Sequence, residues 1–262
     1  MAMPNGESSL SHSALTEMAQ IKADIYNGTV GELTGVDCPI CRNKGNIMRV
    51  LENGSLVSAE CECMAQRRSL KAIEKSGLGD LLERYTLDTW QTPKGWQEQM
   101  KWAVEQYAEK MEGWFYIAGR PGTGKTHLCT ALCALLMQKN MEVRYLVWRD
   151  FSVQAKACVT DQEKYAKLLK PYREAQVLYV DDLFKSGRGK NPTEGDINLA
   201  FELLNDRYND RKKVTVISSE LPVTQLLEID EGLGSRIYER TKAHYYDLTG
   251  MENWRLEHGN GN

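Results

Sequence analysis

The chain has 262 residues, 42% of them hydrophobic, with 33 Lys and Arg against 36 Asp and Glu for a formal net charge of -3. That length holds one sizeable domain plus a small appended module, and the near-neutral charge gives no global reason to bind nucleic acid, so any such binding needs a local basic surface. No run of about 18 apolar residues occurs and the opening MAMPNGESSL is polar, so the sequence reads as neither membrane span nor signal peptide, and a cytoplasmic protein with no membrane partner is expected.

Residues 1 to about 13 are rich in Ser, Gly and Asn and read as a disordered tail. From Ala14 to Tyr26, Leu15, Met18, Ile21 and Ile25 recur at three- and four-residue steps, which predicts a short amphipathic helix stopped near Asn27-Gly28. Its partner surface is not readable. Next comes Cys38-x-x-Cys41, nineteen intervening residues with two predicted strands around Asn53-Gly54, then Cys61-x-Cys63. That is the layout of a zinc ribbon or knuckle, in which four thiolates close a tetrahedral site and the metal supplies folding free energy to a module too small for its own core. Two disulfides or four unrelated thiols are the alternatives. Disulfides are disfavoured in an intracellular chain, and two close-spaced pairs seldom arise by chance. Of the seven cysteines, Cys129 and Cys133 stand four apart on a predicted helix, where small apolar packing is the expected role.

Met64 to Lys75 reads as a helix carrying Arg67, Arg68, Lys71 and Lys75 before Ser76-Gly77. That strip suits a nucleic acid, an acidic partner or a solvated linker equally. Trp96, Met100, Val104, Tyr107 and Met111 then line a helix expected to end at Gly113. The densest signal follows. An apolar strand, Trp114 to Ala118, breaks into a loop with Gly119, Gly122 and Gly124, which Lys125 and Thr126 close before Leu128, Ala131, Leu132 and Leu135 recur at helical spacing. Strand, glycine loop, Gly-Lys-Thr and helix in that order form a P-loop. Its backbone N–H groups and helix dipole hold phosphates, its lysine adds a cation and its threonine hydroxyl ligates Mg²⁺.

Val143 to Val147, Val177 to Val180, Val214 to Ser218 and Ala243 to Leu248 are four more predicted strands with helical patterns between them, giving a five-stranded parallel sheet covered on both faces. A ligand belongs at the carboxyl ends of such strands. There the run Val177 to Val180 ends in Asp181-Asp182, the form of a Walker B: the first carboxylate joins the magnesium shell and the second polarises an attacking water. Ser218 and Ser219 end the fourth strand, where a polar side chain near the γ-phosphate or a simple turn are both open readings. Lys156, Lys164, Lys167 and Lys170 lie between the second and third strands, either toward DNA or on a solvated face.

Taken together, Cys-x-x-Cys with Cys-x-Cys, GRPGTGKT, VLYVDD, NDRY, VISSE, GSRIYERT and a closing NWR resemble the bacterial helicase loaders of the DnaC/DnaI kind, in the AAA+ superfamily, over roughly Val36 to Arg255. The resemblance implies a tail and helix over 1–35, a zinc-binding module with a basic linker helix over 36–77, and an AAA+ ATPase domain without a full C-terminal lid over 78–262. It also implies ATP, Mg²⁺ and Zn²⁺ as cofactors, and an ATP-dependent factor that binds the replicative helicase and single-stranded DNA and self-associates. Carried over, Gly119, Gly122, Thr123, Gly124, Lys125, Thr126 and His127 meet the nucleotide, with Asp181 and Ser219; Lys125, Asp182 and Arg236 are catalytic. Cys38, Cys41, Cys61 and Cys63 hold zinc, and Thr126 and Asp181 hold magnesium. Arg236 in GSRIYER implies an arginine that reaches the nucleotide of a neighbouring subunit. Ser219 departs from the asparagine common at the sensor position, and a serine has a shorter reach and no amide. A helper ATPase for a transposase, and a small-molecule P-loop kinase, are the competing readings; the four-cysteine module argues against the first and the missing acceptor pocket and mobile lid against the second.

Overall fold

A computed structural model describes residues 12–75, 79–185 and 191–258. The chain divides into two units, Met1–Arg68 and Ser69–Asn262; the boundary expected near 77 and 78 lies outside the described residues.

In the first unit a helix α1 (His12–Gly28) precedes an antiparallel hairpin of β1 (Asn46–Val50) and β2 (Leu56–Glu60), in register from Asn46↔Glu60 to Val50↔Leu56. Gly54, with φ +77°, turns the chain between them, a left-handed conformation that glycine adopts without strain. The helix exists where the sequence places it, but its apolar stripe stays largely exposed. Ala19 and Ala23 are the buried positions, while Leu15, Met18, Ile21 and Ile25 are 47–67% exposed. The reason is local. Tyr26 bonds to Asn46 through its hydroxyl, and the Asn27 amide pairs with both backbone groups of Met48 at 2.9 Å, which fixes the helix rotation and turns its alanine face to the strands.

A helix α2 (Cys63–Lys75) runs across the division, and its last turns belong to the second unit: Ser69 Oγ accepts the Val143 N–H at 2.8 Å, and Ile73 is fully buried. There follow α3 (Gly79–Arg84), α4 (Gly95–Lys110), β3 (Phe115–Gly119), α5 (Lys125–Gln138), β4 (Val143–Val147), α6 (Trp148–Cys158), α7 (Gln162–Glu174), β5 (Val177–Leu183), α8 (Glu194–Asn209), β6 (Val214–Ser219), α9 (Val223–Ile229), α10 (Glu231–Thr241), β7 (Tyr245–Leu248) and α11 (Trp254–His258). The five strands pair in parallel in the order β4-β5-β6-β3-β7. This is the AAA+ fold expected from the sequence.

Alternation along the strands sorts the core into two layers. Phe115, Ile117, Val143, Tyr145, Val177, Tyr179 and Val216 face α4 and α5 in one apolar cluster, which also buries Cys129 and Cys133. Trp114, Tyr116, Ala118, Leu146, Leu178, Val180 and Ile217 pack with residues of α6 to α10 in the other. Between them Arg207 of α8 has no exposed surface. Its guanidinium donates to the carbonyls of Tyr172, Arg173, Ala175 and Val214 and to Thr215 Oγ1, tying α8 to the end of α7 and the start of β6. The helix expected to stop at Gly113 is capped instead by Met111 at φ 50°. Gly113 serves a close approach: a Cβ there would lie 2.4 Å from the Arg240 carbonyl oxygen.

Candidate nucleotide site and four-cysteine centre

The loop after β3 turns through Gly122 (φ +84°) and Gly124 (φ +86°), where a side chain would strain the backbone. Thr123 Oγ1 donates to the Arg120 carbonyl at 2.9 Å. Lys125 opens α5 and is 5% exposed; its ammonium donates to the carbonyls of Gly119 (2.8 Å) and Arg120 (3.1 Å). Burial lowers its pKa, and the nearby Asp182, Glu220 and Asp181 charges oppose that. A glycine loop that opens a helix beside a desolvated cation suits a polyanion.

β6 lies between β3 and β5, so the acidic pair reaches the loop across one intervening strand. Asp181 is buried and gathers four hydroxyls: Tyr179 (2.8 Å) and Thr126 (3.4 Å) donate to Oδ1, as does Ser218, while Tyr145 (2.9 Å) donates to Oδ2. Burial, and then the Asp181 charge, raise the pKa of both tyrosines, so they remain donors. Thr126 and Asp181, the two residues expected at one magnesium ion, are therefore adjacent, and an all-oxygen donor set suits that hard cation. Asp182, at φ 54°, lies within the irregularity of the β5–β6 register between Val180 and Leu183, and its carboxylate pairs with Lys185 at 2.8 Å. Ser219, expected at the γ-phosphate, is fully buried and donates to the Leu183 carbonyl at 2.8 Å; the register turns Ser218 toward Asp181 instead.

A cavity of about 230 Å³ opens over the loop, reaching Lys125, Thr126, His127, Asp182 and Lys185. Its wall includes residues read in the sequence as core or unassigned. Trp90 lies on the loop so closely that a Cβ on Gly124 would meet its ring at 2.5 Å. His127 stacks on Tyr85 with centroids 4.8 Å apart and donates from Nε2 to the Thr86 carbonyl at 2.8 Å; burial lowers its pKa, which keeps it neutral. On the other side the segment after β7 crosses the loop. The Trp254 N–H donates to the Gly122 carbonyl at 3.0 Å, a Cβ on Gly122 would collide with Asn253, and Lys94 of the segment before α4 pairs with Glu252 and Glu257. The NWR signature thus marks a strap across the phosphate loop. Arg236 is not among the residues lining this cavity. On α10 it donates to the Gly232 carbonyl at 2.7 Å, with its guanidinium 4.9 Å from the Phe201 ring centroid and 5.6 Å from that of Tyr208.

The four candidate metal ligands converge in the first unit. All four sulfurs are buried and lie within 4.8 Å of one another. Cys38–Cys61 and Cys41–Cys63 are 3.7 and 3.5 Å apart, far beyond a disulfide bond and close to the edge of a tetrahedron with zinc–sulfur bonds of about 2.3 Å. Burial opposes ionisation, yet the Gly45 N–H and the neighbouring sulfurs outweigh it at Cys41 and bring it down to about 6; burial drives Cys63 up to about 12 despite Arg67 nearby. Cys41 ionises readily while burial makes Cys61 and Cys63 resist, as in a site that a cation completes. Arg67, read as part of a basic strip, is 5% exposed and braces the ligand loop through the carbonyls of Thr34 and Val36 and the Asn43 side chain. Arg68 pairs with Glu60. The lysines between β4 and β5 are paired as well: Lys156 with Asp196, Lys164 with Asp161, Lys167 with Glu163 and Lys170 with Glu174.

A P-loop, an acidic pair one strand removed and this strand order define an ATPase of the AAA+ class. The chain belongs to the family of the bacterial DnaA ATPase domain, whose profile matches residues 81–241. Phage-like element PBSX protein XkdC of Bacillus subtilis (strain 168) is 30% identical over 236 residues, 84% of this chain and 86% of its own. The crystal structure of the DnaC helicase loader shares the fold, with a TM-score of 0.53 and 21% identity over 64% of this chain and 98% of that one. So does the replication initiator DnaA bound to AMPPCP and single-stranded DNA, with a TM-score of 0.50 and 24% identity over 63% of this chain and 50% of that chain. The protein is thus a replication-related AAA+ ATPase. Among the described residues no helix is long and apolar enough to cross a membrane.

Proposed function

We propose that the protein loads a replicative DNA helicase onto single-stranded DNA and couples that transfer to ATP hydrolysis. The observation that carries the reading is the buried four-sulfur cluster, held in its own unit on the same chain as a DnaA-type ATPase unit. The shared fold with the DnaC helicase loader, and with a DnaA that holds single-stranded DNA, supports it.

In this reading the N–H groups of the loop from Gly119 to Thr126 and the ammonium of Lys125 bind the phosphates of ATP, while Thr126 and Asp181 hold Mg²⁺. Magnesium neutralises charge that develops on the phosphates. Asp182 orients the attacking water and takes its proton. Trp90, Tyr85 and His127 shield the nucleotide from solvent beside the loop. Arg236, which does not line its own cavity, completes the site of a neighbouring copy, which makes hydrolysis dependent on self-association. Cys38, Cys41, Cys61 and Cys63 hold zinc, and the module they organise, within residues 36–77, grips the helicase.

The test is capture and transfer. Immobilised full-length protein should retain the host's replicative helicase and pass it to single-stranded DNA only with ATP, whereas Lys125→Ala should capture without passing it on. Failure of the parent protein to retain the helicase, or transfer that ignores ATP, overturns the reading.

A further inference from the structure

The terminal phosphate of a bound nucleotide needs a partner in this chain, and the usual place for one, the end of β6, offers none. Ser218 donates to Asp181 and accepts the Asp182 N–H at 2.9 Å. Ser219 donates to the Leu183 carbonyl and accepts the Leu221 N–H at 3.1 Å. Both hydroxyl protons are thus committed to acceptors on β5.

Lys185 stands in the same cavity as Lys125 and Thr126. Its ammonium lies 2.8 Å from Asp182 Oδ2 and 3.2 Å from Glu220 Oε1, and its side chain is 42% exposed. The backbone enforces that placement. Asp182 and Phe184 both adopt positive φ (54° and 63°), a conformation that strains non-glycine residues, and the Lys185 N–H closes the turn on the Asp182 carbonyl at 2.9 Å. The strained turn aims a carboxylate into the cavity and folds a cation back onto it. The ammonium occupies Asp182 Oδ2, the oxygen it meets at 2.8 Å, and so stands where a water would have to approach that carboxylate oxygen.

We propose that Lys185 is a positioning residue that reads the terminal phosphate of a nucleoside triphosphate and releases Asp182 in response. Its ammonium is shared between two sets of acceptors: the Asp182 and Glu220 carboxylates on one side, and the γ-phosphate oxygens on the other. A triphosphate draws Lys185 away, and Asp182 then accepts the proton as the water oxygen bonds to phosphorus and the bond to the bridging oxygen breaks, giving the diphosphate and inorganic phosphate. A diphosphate leaves Lys185 on Asp182. The inference rests on the ATP-hydrolysis reading of this cavity and adds to it the residue that distinguishes triphosphate from diphosphate.

The test is nucleotide selectivity, measured with magnesium by displacement of a fluorescent nucleotide with AMPPNP or ADP. Lys185→Ala should weaken AMPPNP by about tenfold, the loss of one charge-assisted hydrogen bond, and leave ADP within about twofold. Lys185→Arg should keep the parent selectivity, and Glu220→Gln, which removes a competing carboxylate, should tighten AMPPNP but not ADP. If Lys185→Ala shifts both nucleotides alike, or neither, while the parent binds and hydrolyses ATP, the inference fails and the ATPase reading stands. If the parent binds neither nucleotide, both fall.

Discussion

Asp181 and Asp182 are neighbours in sequence with opposite surroundings, and that contrast predicts separable phenotypes. Asp181 accepts from four hydroxyls beside Thr126, so Asp181→Asn, which presents an NH₂ group in place of one oxygen, should weaken magnesium-dependent nucleotide binding. Asp182→Asn, on the cavity side, should keep nucleotide affinity while turnover falls by about a hundredfold or more, within the range of lost general-base catalysis. Parallel titration and single-turnover hydrolysis check both; equal loss of affinity in the two would reject the division of roles. The acidic pair was legible because it follows an apolar strand. Its hydroxyl cage was not, since Tyr145 and Tyr179 look like strand filler until the β4–β5 register sets them side by side. Arg207 was hidden the same way. In NDRY it reads as one more helix charge beside aspartates, yet Arg207→Leu strands two buried and two partly buried carbonyls and Thr215, so urea unfolding should show a loss of about 3 kcal/mol or more.

Elements were read well wherever periodicity and turn residues agreed. The phosphate loop, its flanking strand and helix, and the hairpin around Gly54 stand where the pattern put them. Periodicity failed for α1 because it says which residues share a face, not which face packs; two alanines and the Tyr26 and Asn27 hydrogen bonds decided that. Charge counting failed for α2 similarly, since Arg67 points inward as a brace. The hairpin has little apolar burial of its own, with every strand position at least partly accessible, so its order should depend on the metal. Chelation, or Cys61→Ser, should abolish hydrogen-exchange protection over residues 46–60 and leave residues 115–119 protected. Persistence of the hairpin's protection after metal removal would refute the dependence.

At the scale of the whole chain the sequence placed all five strands of the sheet and the class of ligand site, because hydrophobic runs and glycine loops are local signals. What it missed is assembled from distant segments: the wall from residues 85–97 and the strap from 252–257 meet over the loop only through the fold. Deleting residues 250–258 should therefore lower nucleotide affinity by about tenfold or more, since the cavity loses one wall and the Gly122 carbonyl its partner; an unchanged titration would show the strap to be incidental. Similarly, a chain starting at Leu78 lacks Ser69 and Ile73, which cap Val143 and fill the core. Its thermal midpoint should fall below that of a chain starting at Cys63, by roughly 4 °C or more if Ile73 alone is worth over about 2 kcal/mol.

The strap also sets an order of events during synthesis. Domains acquire structure as they leave the ribosome, N-terminal parts first. The phosphate loop emerges more than a hundred residues before Glu252, Asn253 and Trp254, so a nascent chain can form the sheet and still lack a closed pocket. ATP captured early would be held only by the loop and would exchange freely. Closure of the pocket therefore waits for residues 252–254, long after the loop itself has emerged.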